Sequence, residues 1–173
     1  MQTHDLEIRP WAKNDISLLE RLMGDPTMMV YLGGPETPEK IQKRHKRYLK
    51  RERSGHDQMF VILAGKERVP AGSVGYWEKE WDSKKVWETG WMVLPEFQGQ
   101  GVATQATALV ISKVRDIGLY RFLIALPSVE NTASNSICRK LGFELYGTQK
   151  YEYPKDSGNW LVCNDWRFDL SPG

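Results

Sequence analysis

The stretch Leu94-Pro95-Glu96-Phe97-Gln98-Gly99-Gln100-Gly101-Val102-Ala103-Thr104 decides how this chain is read. It joins an apolar extended run, Val86 to Leu94, to a segment whose apolar residues Val102, Ala106, Leu109, Val110, Val114 and Ile117 recur at helical spacing. A glycine-rich turn opening a helix leaves backbone N–H groups unpaired at the positive end of the helix dipole. Such a turn binds phosphate or pyrophosphate. Gly99 and Gly101 let the backbone approach an anion without a Cβ in the way, and Ala103 is small for the same purpose. A dinucleotide-binding or P-loop turn has the same general form. The spacing here is not G-x-G-x-x-G, however, and no Gly-Lys-Ser/Thr follows. Taken alone, glycines that only permit tight packing explain the turn equally well.

Outward from this turn the chain alternates clear signals. Leu6 to Arg9, ended by Pro10, reads as a short first strand. Asn14 is an N-cap candidate for a helix carrying Ile16, Leu19, Leu22 and Met23, with Gly24 as its stop. Thr37-Pro38 starts a second helix running to about Arg53. Met59 to Ala64, Ala71 to Lys79 and Val86 to Leu94 form an antiparallel meander, with turns at Gly65, Val69-Pro70 and Asp82 to Lys85. After the central helix, closed by Gly118, come a buried strand at Phe122 to Leu126, a helix at Asn131 to Leu141, and two strands near 143–152 and 160–168. One central βαβ crossover among runs of consecutive strands points to an α+β fold. The sheet is expected to be mixed and mostly antiparallel, with about seven strands and about four helices, in a single domain over residues 1–173.

The bulk numbers agree with an ordinary globular domain. Of 173 residues, 40% are hydrophobic and 27% charged, which leaves a core large enough to need no staple. A net charge of +2 favours no class of partner. His4, His45 and His56 are scattered and no metal is expected, while Cys138 and Cys163 lack a disulfide framework. No leader or membrane-spanning run is evident, so the expected location is cytoplasmic.

Two blocks carry a family resemblance. Gln98-x-x-Gly101-x-Ala103, within Gly90-Trp91-Met92-Val93-Leu94-Pro95-Glu96-Phe97, resembles the acetyl-CoA pyrophosphate loop of the GNAT superfamily of N-acetyltransferases. Asn131-Thr132-Ala133-Ser134 and Lys140-Leu141-Gly142-Phe143-Glu144 resemble that family's second helix and its exit into the next strand. Asp25 to Gly34 is similar to the branch that includes ribosomal-protein alanine N-acetyltransferases. The resemblance implies the GNAT fold, acetyl-CoA as donor and an amine as acceptor: a protein N-terminus, a polyamine or another amine-bearing small molecule.

It also implies roles. The N–H groups of Gln98, Gly99, Gln100, Gly101, Val102, Ala103 and Thr104 would surround the pyrophosphate. Met92, Val93 and Leu94 would pair with the pantetheine arm as an added strand does, with the Val93 N–H placed to polarise the thioester carbonyl. Asn131 would reach the cofactor arm, although an N-cap is equally good chemistry for it. An alkyl amine is almost wholly protonated near neutral pH, so attack benefits from a base. Glu88, on the strand leading to the loop, is the candidate. Its alternative role is to pair with a neighbouring strand or bind a cation. Many family members carry a Tyr seven residues after the matched Asn, as acid for the leaving thiolate. Here that position is Cys138, so Ser134 and Cys138 are the substitute candidates, with Tyr151 and Tyr153 as further options.

Several features stay open. Trp77, Trp81, Trp87 and Trp91, near Glu78, Glu80 and Asp82, can line a cation-binding acceptor groove or simply pack the sheet. Lys40, Lys43, Arg44, Lys46, Arg47, Lys50 and Arg51 make the second helix basic; a solvated face is the main reading and nucleic-acid binding the lesser one. Leu161 to Phe168 is a strand able to pair across a homodimer. The absent Tyr leaves a catalytically weak CoA-binding module as the alternative to an enzyme.

Overall fold

The computed structural model describes residues 5–54, 57–153 and 155–171, and the side chains of all of these except 51–54 and 151. In chain order the elements are β1 Leu6–Pro10, α1 Ile16–Met23, α2 Pro38–Ser54, β2 Gln58–Ala64, β3 Val69–Trp81, β4 Lys84–Val93, α3 Val102–Ile117, β5 Phe122–Ala125, α4 Thr132–Lys140, β6 Glu144–Glu152 and β7 Trp160–Asp169. The seven strands form one sheet in the order β1-β2-β3-β4-β5-β7-β6. All neighbours are antiparallel except β4 and β5, which are parallel and joined through α3. This is the mixed α+β architecture expected from the sequence.

Period-two alternation sorts the strand side chains into two cores. Phe60, Ile62, Val74, Tyr76 and Trp87 face α3 and α4, where Val102, Ala106, Val110, Val114 and Cys138 complete one cluster. Met59, Val61 and Leu63 face the other way and meet Trp11, Leu19, Leu22, Met29, Ile41 and Tyr48 of the α1 and α2 layer. Helices therefore cover both faces. Among the described residues none is long and apolar enough to cross a membrane.

The structure corrects several local expectations. Asn14 does not cap α1: it lies in a 3-10 turn, Lys13–Asp15, and Asp15 occupies the cap position. The Asp15 carboxylate is spent on the Ala12 N–H (2.7 Å) and on both terminal nitrogens of Arg9 (2.7 and 2.8 Å). Val69-Pro70 belongs to β3 rather than to a turn, at a register shift beside Ile62 and Leu63. Proline is tolerated there because a bulge needs no ladder N–H. The strand at 160–169 is interior, flanked by β5 and β6, so it has no open edge with which to pair across a dimer. The edges of the sheet are β1 and β6.

Candidate active site

The parallel pairing of β4 with β5 covers only Trp87↔Leu123 and Glu88↔Ile124. Past Glu88 the two strands part, while β4 stays in register with β3 as far as Gly72↔Val93. The Leu94 N–H donates to the Ala71 carbonyl at 2.8 Å, so Leu94 turns its amide towards β3. Alternation along an antiparallel ladder then turns Val93 and Trp91 the other way, into the gap. The Gln98 side chain reaches back on that side and donates from Nε2 to the Val93 carbonyl at 2.8 Å. The Val93 N–H points into the same gap.

The glycine-rich turn closes the wide end of the gap. Gly99 and Gly101 have φ of 72° and 80°, in the left-handed region that favours glycine. Gly101 is also the N-cap of α3 and brings no side-chain cap with it. The opening amides of the sixteen-residue α3 are thus presented without a side-chain acceptor, and a Cβ added at Gly99 would meet nothing within 4 Å. The surface is an open cradle of N–H groups at the positive end of a long helix.

Glu88 sits at the apex where the strands part, 6% exposed, on the α1 and α2 side of the sheet. Its Oε2 accepts from Trp77 Nε1 at 2.9 Å and from Lys79 Nζ at 2.9 Å, both from β3. Among the described residues its Oε1 has no protein partner. Across the apex, the Cys163 thiol of β7 is pushed up to about 11 by burial and by the Glu88 charge, against the opposing pull of Lys79. Further along the same face, Trp81 Nε1 donates to Asp165 Oδ2 at 3.0 Å, and Arg167 holds Asp165 through Nε and Nη2 at 3.0 and 2.6 Å. The mouth is bridged from the opposite side. Arg44 of α2 pairs with Glu36 and donates to the Tyr153 hydroxyl at 3.1 Å, tying α2 to the β6–β7 connection.

The remaining sequence candidates fall as follows. Cys138 is 0% exposed in the α3 and α4 core, its thiol pushed up to about 12 by burial. It packs as a small apolar residue. Ser134 is half-buried in the first turn of α4, and its backbone N–H donates to the Asn131 Oδ1 at 3.0 Å, so Asn131 is the helix cap. Tyr153 is engaged by Arg44, and the side chain of Tyr151 lies outside the described residues. The four tryptophans do not form one cluster: Trp77 and Trp81 face the apex, while Trp87 and Trp91 pack with the α3 core. Glu78 and Glu80 alternate onto the other side, where Glu78 pairs with Lys85 and Tyr120. On α2, Arg44 and His45 are buried, with His45 Nδ1 accepting from Trp11 Nε1 at 3.0 Å; Lys40, Lys43, Lys46, Arg47 and Lys50 form the solvated face, and the side chain of Arg51 lies outside the described residues.

Sequence reasoning missed Lys79, Asp165, Arg167, Arg44 and Glu36 as site components. The period-two spacing of Trp77, Lys79 and Trp81 was the available signal for the first. Nothing local connects β7 to β3.

Known proteins of this shape carry acetyltransferase names. The spermidine N(1)-acetyltransferase of Escherichia coli (strain K12) is 26% identical over 151 residues, covering 87% of this chain and 78% of the relative. A Salmonella typhimurium acetyl transferase that modifies the N-terminal serine of 50S ribosomal subunit protein L7/L12 superposes with a TM-score of 0.78, at 21% identity over 98% of this chain and 97% of that one. The Vibrio cholerae spermidine N-acetyltransferase in complex with CoA and spermine gives a TM-score of 0.77, at 17% identity over 95% of each chain. These structures share the fold. The family model for the acetyltransferase (GNAT) domain matches residues 5–144, well over half of the sequence, and on that match the chain belongs to the GNAT acetyltransferases and is an N-acetyltransferase.

Proposed function

We propose that this enzyme binds acetyl-CoA along the open edge of β4 and passes the acetyl group directly to a primary amine arriving from the α1 and α2 side of the sheet. One observation carries the reading. The Val93 N–H points into the gap between β4 and β5, on the strand that leads into the uncapped amides at the start of α3. The residues fit the donor: amides of Gln98 to Thr104 suit a pyrophosphate, and the edge of Met92 to Leu94 suits an extended amide-bearing arm.

Acetyl-CoA supplies the activated acyl carbon. The Val93 N–H donates to the carbonyl oxygen and stabilises the charge that develops there as the amine adds. Glu88 Oε1, which has no protein partner among the described residues, accepts a proton from the attacking amine directly or through water. The departing sulfur leaves as a thiolate, a far more stable anion than an alkoxide. Cys138 has no place in this scheme, since its thiol is sealed in the core. The Ser134 hydroxyl, at the start of α4, serves as a hydrogen-bond donor to the sulfur.

The test is a thermal-shift titration with acetyl-CoA, CoA and a control nucleotide. A ligand bound only by the folded state adds about 2.7 kcal/mol at one hundred times its dissociation constant. A rise in midpoint with the first two ligands, absent with the control, supports the reading, and no rise at millimolar acetyl-CoA refutes it.

A further inference from the structure

The face onto which the acceptor would open has an unusual charge arrangement. Three carboxylates lie on it with little access to water: Glu36 with a side chain 7% exposed, Glu88, and Asp165 at 1%. Each is matched inside the protein by its own cation. Arg44 takes Glu36, Lys79 takes Glu88 and Arg167 takes Asp165. Two of them also receive an indole N–H, from Trp77 and Trp81. The Lys79 ammonium lies 5.2 Å from the centre of the Trp81 ring as well, so the cation that neutralises Glu88 also takes an aromatic face on this side. Asp82 is exposed and shares Arg167.

A pocket that selects a polycation needs carboxylates whose charge is left for the ligand. Here the three buried carboxylates each have a cation beside them, and only the exposed Asp82 has to share one. A second ammonium entering this cleft would approach Lys79 and Arg167 in a partly dry setting, where repulsion between like charges is weakly screened. A single amine brings one charge and gives it up as a proton to Glu88 Oε1, so no ammonium stays beside Lys79 and Arg167 during the reaction. The body that carries it would rest against Trp77 and Trp81, which offer apolar area.

We infer that Lys79 is a specificity-determining residue that reserves this site for amines carrying one positive charge on an uncharged body, and excludes polyamines. This rests on the acetyltransferase reading above and narrows its acceptor. It also separates the chain from those similar proteins named for spermidine.

Two measurements on the full chain test it. In the presence of CoA, the thermal midpoint is followed as spermine is added, against sodium chloride at matched ionic strength. Turnover is followed by thiol release from acetyl-CoA with spermidine and with the N-terminal amine of an uncharged peptide amide. The wild-type protein is expected to show no spermine-specific shift and a kcat/KM for spermidine at least about tenfold below that for the peptide. Lys79→Met is expected to gain a spermine shift and to lower the KM for spermidine relative to the peptide, while Lys79→Arg behaves as wild type. A spermine shift in the wild-type protein, or spermidine turnover equal to that of the peptide, overturns the inference. The wild-type arms can overturn the inference even if Lys79→Met fails to fold, and the spermine arm can do so even if neither amine turns over. Loss of the acetyl-CoA shift would instead sink the enzyme reading, so the two failures are distinguishable.

Discussion

Trp77 and Glu88 face each other as a register pair across β3 and β4, with the indole Nε1 donating to Oε2 at 2.9 Å. With Lys79 also on Oε2, one oxygen of the carboxylate is anchored, and the other has no protein partner among the described residues. Under the proposed mechanism a base must be held with a lone pair free for the amine, and the contacts of Trp77 and Lys79 to Oε2 leave Oε1 for that task.

Glu88→Gln keeps the hydrogen bond to Trp77 and removes the proton acceptor. It should lower kcat/KM for an amine by about 10²-fold to 10⁴-fold, the usual contribution of a positioned base. The acetyl-CoA thermal shift should survive. Full activity in this variant would show that water alone takes the proton.

Gly101→Ala has room, since the nearest foreign atom to its Cβ is Gln105 Nε2 at 3.6 Å. It carries backbone strain all the same, because φ is 80°. A stability loss of about 1–2 kcal/mol is expected from urea unfolding. Gly101→Glu adds a negative charge at the α3 N-terminus and should abolish the acetyl-CoA shift, which the alanine variant keeps.

The two thiols are both buried. Cys138 is pushed up to about 12 and Cys163 to about 11, in both cases first by burial. Their thiolates are therefore scarce at pH 8, and an aromatic disulfide reagent should find no fast-reacting thiol in the native protein and two after denaturation. The sign for stability follows from proton uptake. Between the ordinary value of 9.0 and the folded value of about 12, the native state holds a proton at Cys138 that the unfolded chain has lost. Stability attached to this group is complete below pH 9 and declines as pH rises through that window. Cys138→Ala should leave kcat unchanged, as expected of a residue packed in the core and not of a proton donor.

Arg44→Met strands the Glu36 carboxylate, whose side chain is 7% exposed. Leaving one member of a buried pair uncompensated costs about 3–5 kcal/mol. Glu36→Gln in the same chain should recover most of that loss. A double-mutant cycle by denaturant unfolding measures the coupling.

What the sequence determined by itself is what neighbouring residues decide between them. The left-handed glycines at 99 and 101, the period of α3, the Asn131 cap candidate and the alternation that puts Glu88, Gly90 and Met92 on one face are local properties of backbone and spacing, and each is legible in a short window. Even there, competition between neighbours hid one outcome, since Asp15 rather than Asn14 took the cap once Arg9 and Ala12 came within its reach. The tertiary structure alone decided which side chains share the cleft. Asp165 meets Trp81 across 84 residues of chain, and Tyr153 meets Arg44 across 109. Those contacts depend on β7 inserting between β5 and β6, a choice among strand orders that no local pattern encodes. Whether Glu88 would be an open carboxylate or one matched by Lys79, and whether Cys138 would line the site or the core, was settled by that packing.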